Sequence, residues 1–223
     1  TRAIVVTLTP FAVGALAQAQ TILEEVVVSA QKREQNIQDV GISIAAFTGD
    51  QLKAMGIESS YDIATFTPGV HISGAMAGQN SQFTIRGVTQ SDFNDIVEAP
   101  NAVYLDEGYI PIANAQTFGL FDIERVEVLK GPQGTLFGRN ATGGLVHYIS
   151  RKPSSEFRSR VGTDIGDNGQ LEARGSLSGP LLGETLLGSI NVASWEHDGY
   201  YKNSVTGQDI GGRKADEGVR PQA

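Results

Sequence analysis

The residues that could carry metal or acid–base chemistry lie far apart in this sequence. The chain has three histidines, His71, His147 and His197, and their separations do not fit the ligand spacing of a zinc site. The run 196–198 combines Glu, His and Asp, but adjacent residues of a strand point to opposite faces. No Gly-x-Ser-x-Gly motif is present. We therefore predict no metal site, no cofactor and no enzymatic activity.

The most distinctive motif is a glycine-rich loop that follows an alternating charged and apolar run, 125–130. Residues 131–144 contain five glycines in 14 positions. Gly138 to Gly143 has the spacing of a phosphate-binding loop, but Gly144 and Leu145 stand where that loop needs Lys and Ser or Thr. The Gly-x-Gly-x-x-Gly spacing of a dinucleotide site is also absent. These glycines therefore indicate tight turns and close backbone approaches.

Length and composition restrict the class of protein. The 223 residues are enough for one large or two small domains. The chain has no cysteine, which excludes disulfide frameworks, thiolate metal sites and cysteine nucleophiles. A net charge of −8 without a Lys/Arg run argues against a nucleic-acid-binding face.

Residues 1–19 have the pattern of an export signal. Arg2 precedes an apolar run from Ala3 to Leu16, and the run 17–19 is an A-x-A cleavage pattern. The apolar run is shorter than the roughly 20 residues that a membrane-spanning helix needs. We predict cleavage after Ala19 and a bacterial envelope location, with a buried helix or a membrane anchor as the alternative.

An extended segment follows the signal. Three consecutive β-branched residues in Glu24–Ala30 favour a strand, and the polar residues 31–36 favour a solvated linker. An exposed extended segment can add itself to the edge of a partner's sheet. The alternative is an ordinary edge strand of the following domain.

Residues 39–153 predict a small α+β domain with one central sheet. Thr48 and Gln51 form a capping-box pattern that opens a helix over 49–55, and Ser59 or Ser60 could cap a second helix over 61–66. The predicted strands share β-branched or alternating apolar residues and cover 41–47, 70–72, 82–86, 101–105 and 125–129.

In order along the chain, this region contains the motifs QKREQNIQDVGISIAAFTGDQL, TPGV, TIRGV, VYLDEGYI, FDIERVEVLKGPQGTLFGRNATGG and SRKP. Together they resemble the plug of TonB-dependent outer-membrane receptors, and the resemblance covers 24–153. The resemblance implies a TonB box that binds the inner-membrane energy-coupling protein, formed by Glu25, Val26, Val27, Val28, Ser29 and Ala30. It also implies elements that lock the plug inside a barrel, carried by Arg86, Gly87, Arg125, Glu127, Gly131 and Pro132. The run 145–150 departs from the family's usual strand, and we interpret His147 as tolerated rather than functional.

The residues after the plug region predict antiparallel strands. Apolar and polar positions alternate over 157–165 and again over 170–177, on both sides of an Asn168-Gly169 turn. A third strand is predicted over 186–195, a turn over 179–184, and a disordered polar tail over 211–223. A charged face suits strands that line a wet lumen. A soluble sandwich also alternates and stays the alternative.

The fold prediction is thus an α+β plug domain, a small mixed sheet with short helices, followed by the first antiparallel strands of a transmembrane β-barrel. A plugged transporter needs roughly 22 strands, whereas 154–223 supplies three or a partial fourth, so we expect the N-terminal part of a longer receptor. The predicted division is signal 1–19, box and linker 20–38, plug 39–153 and barrel start 154–223.

The implied function is energy-coupled uptake of a ferric-siderophore-like or other bulky nutrient across the outer membrane. The partners are the energy-coupling protein, outer-membrane lipid and a small-molecule ligand, and no nucleic acid. The alternative is a free periplasmic plug-like binding or signalling module.

Overall fold

The computed structural model describes most of the chain after the predicted export signal. The described residues are 26–30, 32–75, 80–90, 92, 94, 97–183 and 185–222. The predicted signal 1–19 and Glu25 of the predicted box lie outside them. In this described part, no helix is long and apolar enough to cross a membrane.

The N-terminal unit contains nine strands, three short α-helices and two single-turn 3₁₀ segments among its described residues. The strands are β1 Val27–Val28, β2 Gln35–Asn36, β3 Ile44–Thr48, β4 Val70–Ala75, β5 Asn80–Ile85, β6 Asn101–Leu105, β7 Gly108–Tyr109, β8 Ile123–Lys130 and β9 Gly144–Ser150. The helices are α1 Gly49–Ala54, α2 Ser60–Phe66 and α3 Gly134–Phe137, and the 3₁₀ segments are Ile37–Asp39 and Ala113–Ala115.

A five-stranded mixed sheet forms the centre of this unit, in the order β3-β8-β9-β6-β7. Its pairs are antiparallel except for β6 and β9, which run parallel. This confirms the predicted α+β domain with one central sheet. The predicted strands over 70–72 and 82–86 pair with each other as β4 and β5, outside the central sheet.

The central sheet is buried on both faces because side chains alternate along its two inner strands. Val126 and Val128 of β8 pack with the helices and the β4–β5 hairpin on one face. Leu129 of β8 and Leu145 of β9 pack on the other face with the N-terminal segment. Glu127 has the same parity as Leu129, so it points to the face that the N-terminal segment covers.

The local helix signals are confirmed. Thr48 caps α1, and the reciprocal bonds with Gln51 complete the predicted capping box. Ser59 rather than Ser60 caps α2, because the Asp62 carboxylate accepts from the Ser59 amide. The short helix α3 was not predicted, since its residues belong to the glycine-rich loop.

The C-terminal strands form a four-stranded antiparallel sheet in the order β10-β11-β12-β15. The strands outside the N-terminal unit are β10 Arg158–Ile165, β11 Leu171–Leu182, β12 Leu186–His197, β13 Tyr201–Lys202, β14 Asp209–Ile210 and β15 Arg213–Gln222. The predicted turn between β10 and β11 is confirmed: Asn168 and Gly169 both have positive φ, 56° and 66°, as a type I′ turn requires.

Two expectations for this sheet were wrong. The tail predicted to be disordered forms β15, whose backbone pairs with β12 from Ser189–Gln222 to His197–Arg213. The turn predicted over 179–184 is shorter, because β11 continues to Leu182. Pro180 is accommodated at a register shift in the ladder, the kind of irregular position where a strand tolerates proline.

The faces of this sheet are reversed relative to those of a soluble protein. Val161 and Ile165 are 87% and 83% exposed, and leucines of β11 and β12 extend the same apolar face. On the opposite face, Glu172 and Asn191 are 4% and 1% exposed. An exposed, largely apolar face opposite a face with buried polar residues is typical of strands between lipid and a polar lumen.

Candidate functional site

The described residues of the predicted TonB box pack against the central sheet of the N-terminal unit. Val27 and Val28 pair with Asn36 and Gln35 in the β1–β2 hairpin, and the Ile37 amide donates to the Val26 carbonyl at 3.0 Å. The prediction of a solvated linker over 31–36 was therefore wrong for its last two residues. They form the second strand of the hairpin, because their backbone groups satisfy those of the box.

Alternation within the box decides which side chains are buried. Val28 and Ala30 are 0% and 1% exposed and pack against Leu129 and Leu145 of the central sheet. Val27 points outward and is 42% exposed. The segment is therefore a strand held by its even-numbered residues, with one valine presented to solvent.

A polar cluster joins the box to strand β8. Oε1 of Glu127 accepts from the Ser29 amide at 2.7 Å, from the Ser29 hydroxyl at 3.2 Å and from Arg125 Nε at 2.8 Å. Arg125 Nη2 also donates to the Ser29 hydroxyl at 3.1 Å, and Arg125 Nη1 pairs with Glu124 at 2.6 Å. The Glu127 carboxylate is fully buried, and these donors satisfy its Oε1 atom, as a buried polar group requires.

The neighbouring part of the same face is also polar. His147 stands opposite Glu127 in the β8–β9 ladder and is 6% exposed. Its Nε2 lies 2.6 Å from the Asp106 carbonyl, which can only accept, so Nε2 carries a proton. Burial raises the pKa of the Tyr104 hydroxyl beside it. His147 thus anchors the β6–β7 turn.

The other four predicted locking residues gather at the glycine-rich loop. Arg86 and Gly87 have φ of 51° and 81°, and Gly131 has φ of 124°. A Cβ atom at Gly131 would lie 3.6 Å from the Arg86 guanidinium. Pro132 beside them is exposed. The six predicted locking residues therefore form two groups in the structure. Four of them lie at the glycine-rich loop, and Arg125 and Glu127 lie beside the box.

The seam between the N-terminal unit and the C-terminal sheet uses residues that the sequence did not indicate. Asp122 pairs with Arg160 of β10 at 3.5 Å, and the Phe121 ring meets the Trp195 ring edge-on at 5.8 Å. A Cβ atom at Gly119 would lie 3.4 Å from the Trp195 ring. A polar cavity of about 340 Å³ adjoins this seam, lined by Asp122, Glu124, Arg151, Lys152, Pro153, Ser154, Ser155, Arg158, Arg160, Ser176, Ser178, Ser189 and Asn191.

Among the described side chains, no group of three or more His, Asp or Glu residues could hold a metal ion. The run 196–198 extends from the end of β12, and His197 Nδ1 lies 2.8 Å from the Asp198 carbonyl.

Comparison with known families gives the class of this domain. Residues 36–145 match the model described as the TonB-dependent Receptor Plug Domain. The chain contains the plug domain of the TonB-dependent receptors. The resemblance predicted from the motifs is thereby confirmed, and with it the predicted location in the cell outer membrane.

Similar proteins include a pesticin receptor and a vitamin B12 transporter. The pesticin receptor of Yersinia pestis is 28% identical over 220 residues, which are 94% of this chain and 32% of that receptor. The vitamin B12 transporter of Photobacterium profundum is 28% identical over 174 residues, 78% of this chain and 28% of the transporter. The chain therefore spans about a third of the length of the curated relatives it matches.

Solved structures show the same fold. The ferric yersiniabactin uptake receptor from Yersinia pestis superposes with a TM-score of 0.68 at 28% identity, covering 77% of this chain and 27% of that chain. The pyoverdine outer membrane receptor from Pseudomonas aeruginosa PAO1 gives a TM-score of 0.66 at 21% identity, covering 79% of this chain and 25% of that chain. The predicted plug domain followed by antiparallel strands is confirmed by these matches.

Proposed function

We propose that the chain is the N-terminal part of a TonB-dependent transporter for a bulky nutrient of the ferric-siderophore kind. The observation that carries this proposal is the C-terminal sheet, whose polar face covers the plug and whose apolar face is exposed. A plug domain that worked alone in the periplasm would have no use for such a face. The similarity to the ferric yersiniabactin uptake receptor supports a ferric siderophore as the ligand class.

In this proposal the domain division follows the predicted bounds, with the box and linker over 20–38, the plug over 39–153 and the barrel start over 154–223. The energy-coupling protein binds Glu25–Ala30 by adding a strand to it. Pulling on this strand then remodels or shifts the plug and opens a path for the ligand. The ligand itself is held by the complete receptor.

The box assignment is tested by capture of the purified receptor, expressed from its full gene, on the periplasmic domain of the coupling protein. Val27→Pro removes a backbone donor and fixes φ, so it should abolish capture. Val27→Ala keeps the donor and is the matched control, which should be captured as the wild type is. Undiminished capture of Val27→Pro would contradict the assignment.

The transport assignment is tested by growth under iron limitation. A strain that lacks the gene should lose growth on one ferric siderophore and regain it with the restored gene. Membrane fractionation separates the alternative, because a free periplasmic module would appear in the soluble fraction. Growth on every ferric siderophore without the gene would exclude this ligand class.

A further inference from the structure

We infer that Arg125 and Glu127 form a latch that holds the TonB box closed against the plug. This inference rests on the proposed function, because it assigns the control of the same box. Both residues lie on β8 in the centre of the plug sheet, and their side chains meet the box at Ser29.

The first argument is that the box has its backbone groups engaged within the chain. Val27 and Val28 are in the β1–β2 ladder, and the Val26 carbonyl accepts from Ile37. The Ser29 carbonyl accepts from the Lys32 amide at 2.9 Å, and the Ser29 amide donates to Glu127. A partner that adds a strand needs such groups free, so the closed box must open before it binds.

The second argument is the position of the latch. Three donors converge on one oxygen of Glu127, and two of them come from Ser29. Ser29 lies between Val28 and Ala30, the two side chains that the plug buries completely or nearly so. Breaking the contact at Ser29 therefore releases the polar and the apolar attachment of the same three residues.

The third argument is that this latch is reversible. Charge-assisted hydrogen bonds are strong while water is excluded, and Arg125 and Glu127 are 14% and 0% exposed. When the box leaves, water reaches the pair and replaces the bonds from Ser29. Arg125 still pairs with both Glu127 and Glu124, so the open state leaves no buried charge without a partner. A purely apolar attachment would lack this compensation.

The test measures how often the box opens in the receptor expressed from its full gene. The 223 residues contain no cysteine, so Val28→Cys places one buried thiol in the box. Any cysteine in the rest of the full-length receptor is replaced by serine. Its reaction rate with a maleimide, without coupling protein or ligand, reports opening. Glu127→Gln should raise this rate about tenfold or more, which corresponds to about 1.4 kcal/mol.

The matched control is Glu124→Gln, which removes the same charge from the same arginine but touches no atom of the box. It should change the labelling rate by less than about twofold. Leu52→Cys, buried in the cluster on the opposite face of the sheet, reports unfolding of the whole plug. Its labelling rate should stay unchanged in the Glu127→Gln background.

Equal rates in the wild type and in Glu127→Gln would overturn the latch, and so would an equal rise at Val28→Cys and Leu52→Cys. The labelling assay contains no coupling protein, so its failure is distinct from a failure of the capture experiment with Val27→Pro. With a working box, the Glu127→Gln receptor should also be captured without ligand more strongly than the Glu124→Gln receptor.

Discussion

Gly144 passes so close to Leu129 that a Cβ atom there would lie 2.3 Å from the Leu129 carbonyl oxygen. Gly144 begins β9 with φ of 154°, and it pairs with Asn101 of the parallel strand β6 and with Lys130 of the antiparallel strand β8. The glycine-rich loop is therefore needed for a close approach of two backbones, which explains one of its glycines in steric terms.

Gly144→Ala should prevent the plug from forming, because a carbonyl oxygen cannot move away without breaking the β8–β9 ladder. The matched control is Gly134→Ala, since a Cβ atom at Gly134 meets nothing within 4 Å. The yield of protease-resistant plug in outer membranes measures the effect. Similar yields for the two variants would contradict the steric explanation.

Ile190→Lys should hinder insertion of the C-terminal sheet. A charged residue on the lipid face costs about 2–4 kcal/mol near the midplane of the bilayer, and Ile190 lies on the exposed apolar face. Ser189→Lys is the adjacent control, because Ser189 lines the polar cavity. The membrane-inserted fraction of each variant measures the difference, and equal insertion would show that Ile190 does not face lipid.

Trp195→Ala should weaken the contact between the N-terminal unit and the C-terminal sheet. The edge-on contact with Phe121 accounts for about 0.5–1.5 kcal/mol beyond its buried area, and the ring also covers Gly119. The urea concentration at which the plug becomes sensitive to protease should fall. Tyr200→Ala, an exposed aromatic residue of the following loop, should leave it unchanged; an equal fall in both variants would argue against this anchor.

Acidification should weaken the contact between Glu98 and the glycine-rich loop. The hydrogen bond from the Asn140 amide, aided by Arg139, holds the pKa of Glu98 below its usual value. A carboxyl whose folded pKa is lowered stabilises the fold above its unfolded pKa, and that contribution disappears as the pH falls through the folded pKa.

The Thr142 amide, which donates to the Pro100 carbonyl at 3.0 Å, reports this contact. Its hydrogen-exchange protection factor should decrease on acidification below the ordinary pKa of a glutamate, and Glu98→Gln should remove the decrease. The Val128 amide in the central strand should keep its protection. A pH profile that is the same in Glu98→Gln as in the wild type would assign the effect to another group.

Features that depend on neighbours in sequence were predicted correctly. The Thr48–Gln51 capping box and the Asn168-Gly169 turn each need only three or four residues to satisfy their own backbone groups. The alternation over 157–165 and 170–177 likewise predicted the antiparallel strands β10 and β11. Such signals are local, so they hold wherever the segment lies in the fold.

Strand pairing that depends on backbone hydrogen bonds cannot be recognised from the side-chain pattern of the sequence. The polar residues 213–222 gave no strand signal, yet they extend the sheet because β12 offers an unpaired edge. The sequence of the box predicted a strand. Its position against the plug, however, depends on the contact between Ser29 and Glu127, which are 98 positions apart in the chain.

The sequence alone therefore determined the class of the domain, its local caps and turns, and the alternation of the C-terminal strands. The tertiary structure decided which residues meet, namely the latch at the box and the seam at Asp122 and Trp195, and it decided which side of the C-terminal sheet is apolar and exposed. The reason is physical. Propensity, capping and alternation act between neighbouring residues, whereas a buried carboxylate or an aromatic contact acquires its partner only when distant segments of the chain are brought together.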